Sequence, residues 1–251
     1  MNKSDSIIDS DKLNLILNIC TPKESRKIKK RIDKLFNGLS KDSLKVVNLL
    51  SKYKSTGLEN EHLDEYNIGN RKIVIIKNDK DILKAVNDIR NSKYIGFDTE
   101  QKPTFNRGER QNEISIIQIA TSNHIYLFQM LFLKNIKPVT DIISDPDIRK
   151  IGFDLKNDNR EFLKQFNIIP QNIYDLSIVI KKNFFHKNQI GVKSAVALFM
   201  DKKIIKSKKT VLSNWENENL TPNQIKYATE DATAPYDIYT YMLENFSMLL
   251  S

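Results

Sequence analysis

The chain has few of the residues that build covalent or thiolate-based sites. Its 251 residues include one cysteine, Cys20, which excludes an internal disulfide and a zinc site built from several thiolates. The three histidines, His62, His124 and His186, are scattered, and no two have the spacing of metal ligands. A disulfide-stapled domain and a zinc-binding module are therefore excluded.

Long apolar runs are also missing. No stretch approaches the ~18 apolar residues that a membrane span needs, so no membrane partner is expected. The apolar run Leu13–Cys20 is interrupted by Asn14 and Asn18 and follows an acidic start, which makes it a poor signal peptide. We therefore expect an intracellular protein, in a reducing cytoplasm or nucleoid.

Basic residues, in contrast, are abundant. Lysine and arginine number 40 against 31 acidic residues, giving a formal charge of +9 and a pI near 9.3. Such an excess favours a polyanionic partner, nucleic acid before membrane. Solvated surface lysines would explain the same excess, so charge alone leaves both interpretations open.

The composition divides the chain into two predicted domains. Residues 1–68 are predicted as a basic helical extension, with a capping box at Thr21–Glu24 and six basic residues within Ser25–Lys34. A second helix is predicted over Ser43–Tyr53. This extension could contact nucleic acid or serve as a packing appendage. Residues 69–251 form the second predicted domain.

From Lys72 onward, strands and helices alternate in an α/β pattern. Three consecutive apolar strands come early and favour antiparallel pairing, and the later alternation favours a sheet with helices on both faces. The predicted strands are Lys72–Ile76, Tyr94–Glu100, Ile114–Ala120, Ile125–Phe128, Lys150–Phe153 and Ile173–Tyr174. The predicted helices between them are Asp79–Asn91 and Asn157–Gln165.

The strand Tyr94–Glu100 ends in two acids that folding alone does not explain. Asp98 and Glu100 are two residues apart, so they project from one face and repel each other. A divalent cation would explain the pair, because carboxylate oxygens bind hard cations such as Mg2+. For Asp-x-Glu alone, a solvated acidic turn is the competing explanation.

Two further acidic positions follow at helices. Asp158 lies in a first helical turn, where the helix dipole alone would favour it. Tyr227 and Asp231 are four residues apart on the predicted last helix, so they share one face. Glu230 and Asp237 fall on other faces and are expected to be solvated.

The order Asp-x-Glu, Gly-x5-Asp, Tyr-x3-Asp resembles the DEDDy 3'-5' exonucleases, which include ribonuclease D, the proofreading domains of family A polymerases and the Werner-type exonuclease domain. The resemblance covers about residues 70–246 and rests on these segments: IGFDTE, ISIIQIATSNHIYLF, KIIKSKKTVLSNWENENLTPNQ and YATEDATAPYDIY. It implies a ribonuclease-H-like mixed sheet with helices on both faces. Residues 1–66 lie outside it.

The resemblance also implies a site. Asp98, Glu100, Asp158 and Asp231 would hold two divalent ions, Mg2+ or Mn2+, and Tyr227 would position the attacking water. Gln101 and Asp154 depart from the pattern, since relatives often carry an aromatic residue and a glycine there. Neither departure removes a site position.

Basic residues near these motifs are the candidates for contacts with the phosphate backbone. They are Arg107, Arg110, Lys206, Lys208 and Lys209. The expected function is metal-dependent 3'-5' hydrolysis of nucleic acid with a free 3' end, releasing nucleoside 5'-monophosphates. The Werner-like motifs favour DNA; RNA 3'-end trimming and a non-catalytic nucleic-acid-binding scaffold are the alternatives.

Overall fold

A computed structural model describes Arg26, Lys30 and residues 62–106, 108–109, 111–183, 189–247 and 250. The candidates Arg107 and Arg110 lie outside these residues, as do all residues before His62 except Arg26 and Lys30. None of the described helices combines the length and apolarity needed to cross a bilayer.

The described elements match the α/β pattern of the sequence. The strands are β1 (Asp64–Glu65), β2 (Lys72–Ile76), β3 (Tyr94–Gln101), β4 (Ile114–Ala120), β5 (His124–Gln129), β6 (Arg149–Gly152), β7 (Ile173–Asp175) and β8 (Lys202–Lys203). The helices are α1 (Asp79–Arg90), α2 (Lys137–Ser144), α3 (Lys156–Phe166), α4 (Leu176–Asn183), α5 (Val192–Met200), α6 (Lys208–Val211) and α7 (Pro222–Phe246), with a 3-10 turn at Met130–Phe132.

Six strands form one mixed sheet in the order β2-β5-β4-β3-β6-β7. The pairs β3–β4 and β4–β5 are antiparallel, as predicted, and the other three pairs are parallel. Apolar residues of α1, α2 and α3 cover one face of this sheet, and those of α7 cover the other. The ribonuclease-H-like arrangement implied by the resemblance is therefore confirmed.

Residues just before the predicted domain boundary at 68/69 pack with this unit. Strand β1 pairs with β8, and Tyr66 is buried against α5 and α7. The Tyr66 hydroxyl donates a 2.7 Å hydrogen bond to Asp237 on α7. The chain therefore joins the folded unit by Asp64, several residues before the boundary drawn from composition.

Helix α7 lies unusually close to the central strand β3. It begins with a capping box between Thr221 and Gln224 and has Pro222 in its first turn, both of which favour the start of a helix. A Cβ atom at Gly96 of β3 would lie 1.9 Å from the backbone oxygen of Ala232 on α7. The missing side chain thus allows the close approach that brings the acids of β3 and α7 together.

We expect Gly96→Ala to destabilise the fold by about 1–3 kcal/mol, because the methyl group meets backbone rather than a movable side chain. Denaturant unfolding monitored by circular dichroism would measure this loss. Gly191→Ala is the matched control: a Cβ there meets no atom within 4 Å, and φ is −81°. Equal unfolding free energies for the two variants would contradict the proposed close packing.

Candidate active site

Three carboxylates meet where α7 packs against the central strands β3 and β4. Asp98 and Glu100 leave β3 on one face, and Asp231 reaches them from α7. Ligand oxygens of the three residues all lie within 4.8 Å of one another. The structure thus brings together three of the four acids that the resemblance implied.

Burial and mutual repulsion disfavour the charged forms of these three acids. Burial raises the pKa of Asp98 well above its usual range, and the neighbouring acids Asp231, Asp158 and Glu100 raise it further. Burial likewise raises the pKa of Glu100 and of Asp231. Clustered carboxylates that are buried or half-buried, as these are, are stabilised by a bound cation. The oxygen donor set therefore fits a hard divalent ion.

Asp158 is near this group but is turned toward a different partner. It lies in the first turn of α3 and accepts a hydrogen bond from the hydroxyl of Thr99, the β3 residue between Asp98 and Glu100. Burial raises the pKa of Asp158, and the Thr99 bond opposes that rise. Its charge raises the pKa of both Asp98 and Glu100. It stands beside the three-acid cluster rather than within it.

The turn that leads into α3 explains one departure from the family pattern. Asp154 has φ +58°, a left-handed conformation that glycine adopts more easily than other residues. Asp175 holds this turn by accepting bonds of 3.1 Å from the backbone N–H groups of Asp154 and Leu155. Asp175 thereby fixes the start of the helix that carries Asp158, a role the sequence did not reveal.

Tyr227 stands beside Asp231 on α7. Burial raises the pKa of its hydroxyl, and the charges of Asp231, Glu100 and Asp98 raise it further. The phenol therefore stays protonated and is suited to orienting a water rather than to removing its proton. Its ring packs against the buried Trp215, with centroids 5.8 Å apart.

The described basic candidates have two different positions. Lys208 and Lys209 lie exposed on the short helix α6. Lys206 instead points into the acid cluster: its ammonium lies 2.7 Å from Asp231 Oδ1 and donates a 2.9 Å hydrogen bond to Oδ2. Asp231 Oδ1 has no well-directed hydrogen bond from the described residues.

Gln118 is a polar residue of the site that sequence reasoning missed. Gln118 is fully buried and is the β4 partner of Asp98 in the pairing of β3 with β4. Its side chain lies on the same face as Glu100 and lowers the pKa of that acid. Neither polar atom of its amide has a well-directed hydrogen bond among the described residues. The available signal was one amide inside the otherwise apolar run IIQIA.

The expectation that Glu230 and Asp237 are solvated is wrong. Glu230 is 4% exposed, and burial raises its pKa to about 7. Asp237 is largely enclosed by its ion pair with Arg71, at 2.5 Å, and by the Tyr66 hydroxyl. Both do lie on other faces of α7, but those faces are covered by β1 and the residues that follow it.

Known proteins resemble this chain in sequence and in fold. A family described as 3'-5' exonuclease matches residues 73–246. A 3'-5' exonuclease of Acanthamoeba polyphaga mimivirus is 30% identical over 142 residues, covering 52% of this chain and 36% of that protein. The bifunctional 3'-5' exonuclease/ATP-dependent helicase of Mus musculus is 27% identical over 135 residues, covering 52% of this chain and 9% of that protein.

The chain thus spans little more than a third of one of these relatives and less than a tenth of the other. Among solved structures, the complex of Trypanosoma brucei ribonuclease D with RNA U12 has a TM-score of 0.64 at 18% identity, covering 72% of this chain and 65% of that chain. At that identity the likeness establishes a shared fold.

Proposed function

This chain belongs to the 3'-5' exonuclease family, and we propose that it hydrolyses nucleic acid from the 3' end and releases nucleoside 5'-monophosphates. The observation that carries this proposal is the convergence of Asp98, Glu100 and Asp231 within 4.8 Å, beside Tyr227. A scaffold that only bound nucleic acid would gain nothing from buried negative charge next to its polyanionic ligand.

We propose that Asp98, Glu100 and Asp231, together with Asp158, hold two divalent ions, Mg2+ or Mn2+. When bound, such ions lower the pKa of a water molecule and stabilise the charge on a departing oxygen. Thr99 keeps the Asp158 carboxylate in place beside the cluster through its hydrogen bond.

The protein's own side chains orient the water and contact the substrate. The Tyr227 hydroxyl, protonated and half-buried beside Asp231, orients the water toward the phosphorus. The water oxygen joins the phosphate of the terminal nucleotide, the bond from phosphorus to the 3' oxygen of the next nucleotide breaks, and that oxygen leaves with a proton. Lys208 and Lys209 are exposed on α6, and we propose that they contact backbone phosphates.

DNA is the first candidate substrate, because the motifs of this chain resemble the Werner-type exonuclease domain. RNA is the second, because the Trypanosoma brucei ribonuclease D that shares this fold is described in complex with RNA. DNA and RNA oligonucleotides of one sequence, labelled at either end, separate the two in assays with Mg2+, Mn2+ or EDTA. A 5'-labelled substrate should yield a shortening ladder, and a 3'-labelled one a labelled mononucleotide. Binding without cleavage under every metal condition would reject the exonuclease proposal.

We further propose that the basic N-terminal extension adds affinity for nucleic acid. Arg26 and Lys30, the residues of Ser25–Lys34 that the structure describes, are helical and exposed. They are four residues apart and so share one face. The other basic residues of this stretch lie outside the described residues.

Replacing all six basic residues of Ser25–Lys34 with glutamine should weaken nucleic-acid binding and flatten its dependence on salt. Each lost phosphate contact should lower the slope of log affinity against log salt by about 0.7 to 0.9. Fluorescence anisotropy at several salt concentrations measures this slope. An unchanged slope combined with a lower melting temperature would instead identify the extension as a structural brace.

A further inference from the structure

Lys206 makes all its described polar contacts with proposed site residues. It leaves the chain between β8 and α6, two residues after Ile204, which is 1% exposed and anchors the segment in the core. Besides its two contacts with Asp231, its ammonium lies 3.5 Å from the Tyr227 hydroxyl and 4.8 Å from the centre of the Tyr227 ring. The side chain therefore lies across both functional residues of α7.

This contact conflicts with the proposed use of Asp231. In the structure, the Asp231 carboxylate accepts an ammonium at 2.7 Å and 2.9 Å. The same carboxylate is proposed to bind a divalent ion. Two cations on one buried carboxylate repel each other strongly, so tight contact with one weakens contact with the other.

We propose that Lys206 is a positioning residue that acts as an exchangeable counter-ion for Asp231. It neutralises this acid while the cluster lacks metal, and it gives the carboxylate up when a divalent ion binds. The released ammonium stays beside Tyr227, where it can pair with a substrate phosphate. This inference rests on the proposed exonuclease function and deepens it.

The proposal predicts effects of opposite sign on metal affinity and on catalysis. Lys206→Met should tighten Mn2+ binding about tenfold or more, because the competing charge is gone. The same variant should raise the KM for an oligonucleotide, because a cation beside Tyr227 is lost. If Lys206 had a purely structural role, its replacement would weaken the binding of Mn2+ as well as the binding of the oligonucleotide. Calorimetric titration with Mn2+ and steady-state kinetics measure the two effects.

Two variants serve as controls. Lys193→Met removes the same formal charge from an exposed position on α5 and should leave Mn2+ affinity unchanged. Lys206→Arg keeps the charge and should keep Mn2+ affinity near that of the wild type. If Lys206→Met binds Mn2+ no more tightly than the wild type, the counter-ion role is rejected.

A measurement on the wild-type protein covers the case in which Lys206→Met does not fold. In protein with 15N-labelled lysine, the Lys206 ammonium signal can be assigned because it is missing from the Lys206→Arg variant. This signal should shift as Mg2+ is added. It should shift at the same Mg2+ concentration that saturates the site. A signal that stays in place while Mg2+ saturates the protein would overturn the proposal.

Failure of this inference can be told from failure of the proposed function. A wild-type protein that binds Mn2+ and degrades oligonucleotides, while Lys206→Met binds Mn2+ no more tightly, rejects the counter-ion role alone. A wild-type protein that neither binds Mn2+ nor cuts any oligonucleotide rejects the proposed function together with it.

Discussion

Replacing Asp98 with asparagine is expected to lower hydrolysis by more than about 1000-fold, because a catalytic metal ion contributes several kcal/mol and each 1.36 kcal/mol is a tenfold change in rate. Single-turnover rates at saturating Mg2+ measure the loss. In the absence of metal, the melting temperature of Asp98→Asn should equal or exceed that of the wild-type protein. Burial and the neighbouring acids already raise the pKa of Asp98, so removing its charge relieves repulsion.

Asp147→Asn is the matched control for this prediction. Asp147 is exposed on the connection between α2 and β6, so its loss should change neither the rate nor the response of the melting temperature to Mn2+. An Asp98→Asn protein that melts like the wild type and still hydrolyses at the full rate would remove Asp98 from the site. A variant that is inactive because it is unfolded would show as a lower melting temperature.

The second large effect is expected from Tyr227→Phe, which should lower kcat by about 10²- to 10⁴-fold with little change in KM. The substitution removes the hydroxyl proposed to orient water and keeps the ring that packs against Trp215. Pre-steady-state kinetics with a labelled oligonucleotide separate the chemical step from substrate binding.

Tyr241→Phe provides a control on the same helix. The ring of Tyr241 packs against Phe199 and Phe246, so loss of its hydroxyl should leave kcat unchanged. Tyr227→Leu, which also removes the ring, should lower the melting temperature in addition to the rate. If Tyr227→Phe retains the wild-type kcat, Tyr227 serves packing alone.

The sequence predicted the elements of this domain well, because their signals are local. The run KIVII and the run ISIIQIA have the apolar, β-branched composition of strands, and both form the strands expected from it. The start of α7 at Thr221 and Pro222 is also a local signal, since capping depends on residues three positions apart. The entry of the chain at Asp64 was missed, because a two-residue strand carries no periodicity.

Within the site, the sequence determined which residue types could meet, through spacing of two on a strand and four on a helix. These spacings put Asp98 with Glu100 and Tyr227 with Asp231. The direction of each side chain depended on contacts between distant elements. Asp158 turns toward Thr99, and Lys206 turns inward to Asp231, although nothing in the sequence near either residue indicates its partner.

The acids of α7 show the same difference between what residue spacing determines and what tertiary contacts determine. Periodicity correctly separated the faces of Glu230 and Asp237 from the face of Asp231, because 3.6 residues per turn is a property of any helix. Whether those faces meet water depends on what packs there, and β1, Tyr66 and Arg71 cover them. The sequence by itself therefore determined the six strands of the main sheet and the faces on which the acids lie. Only the close approach of α7 to Gly96 decided which charges are buried together, because burial and pairing depend on the distance between elements that are far apart in the chain.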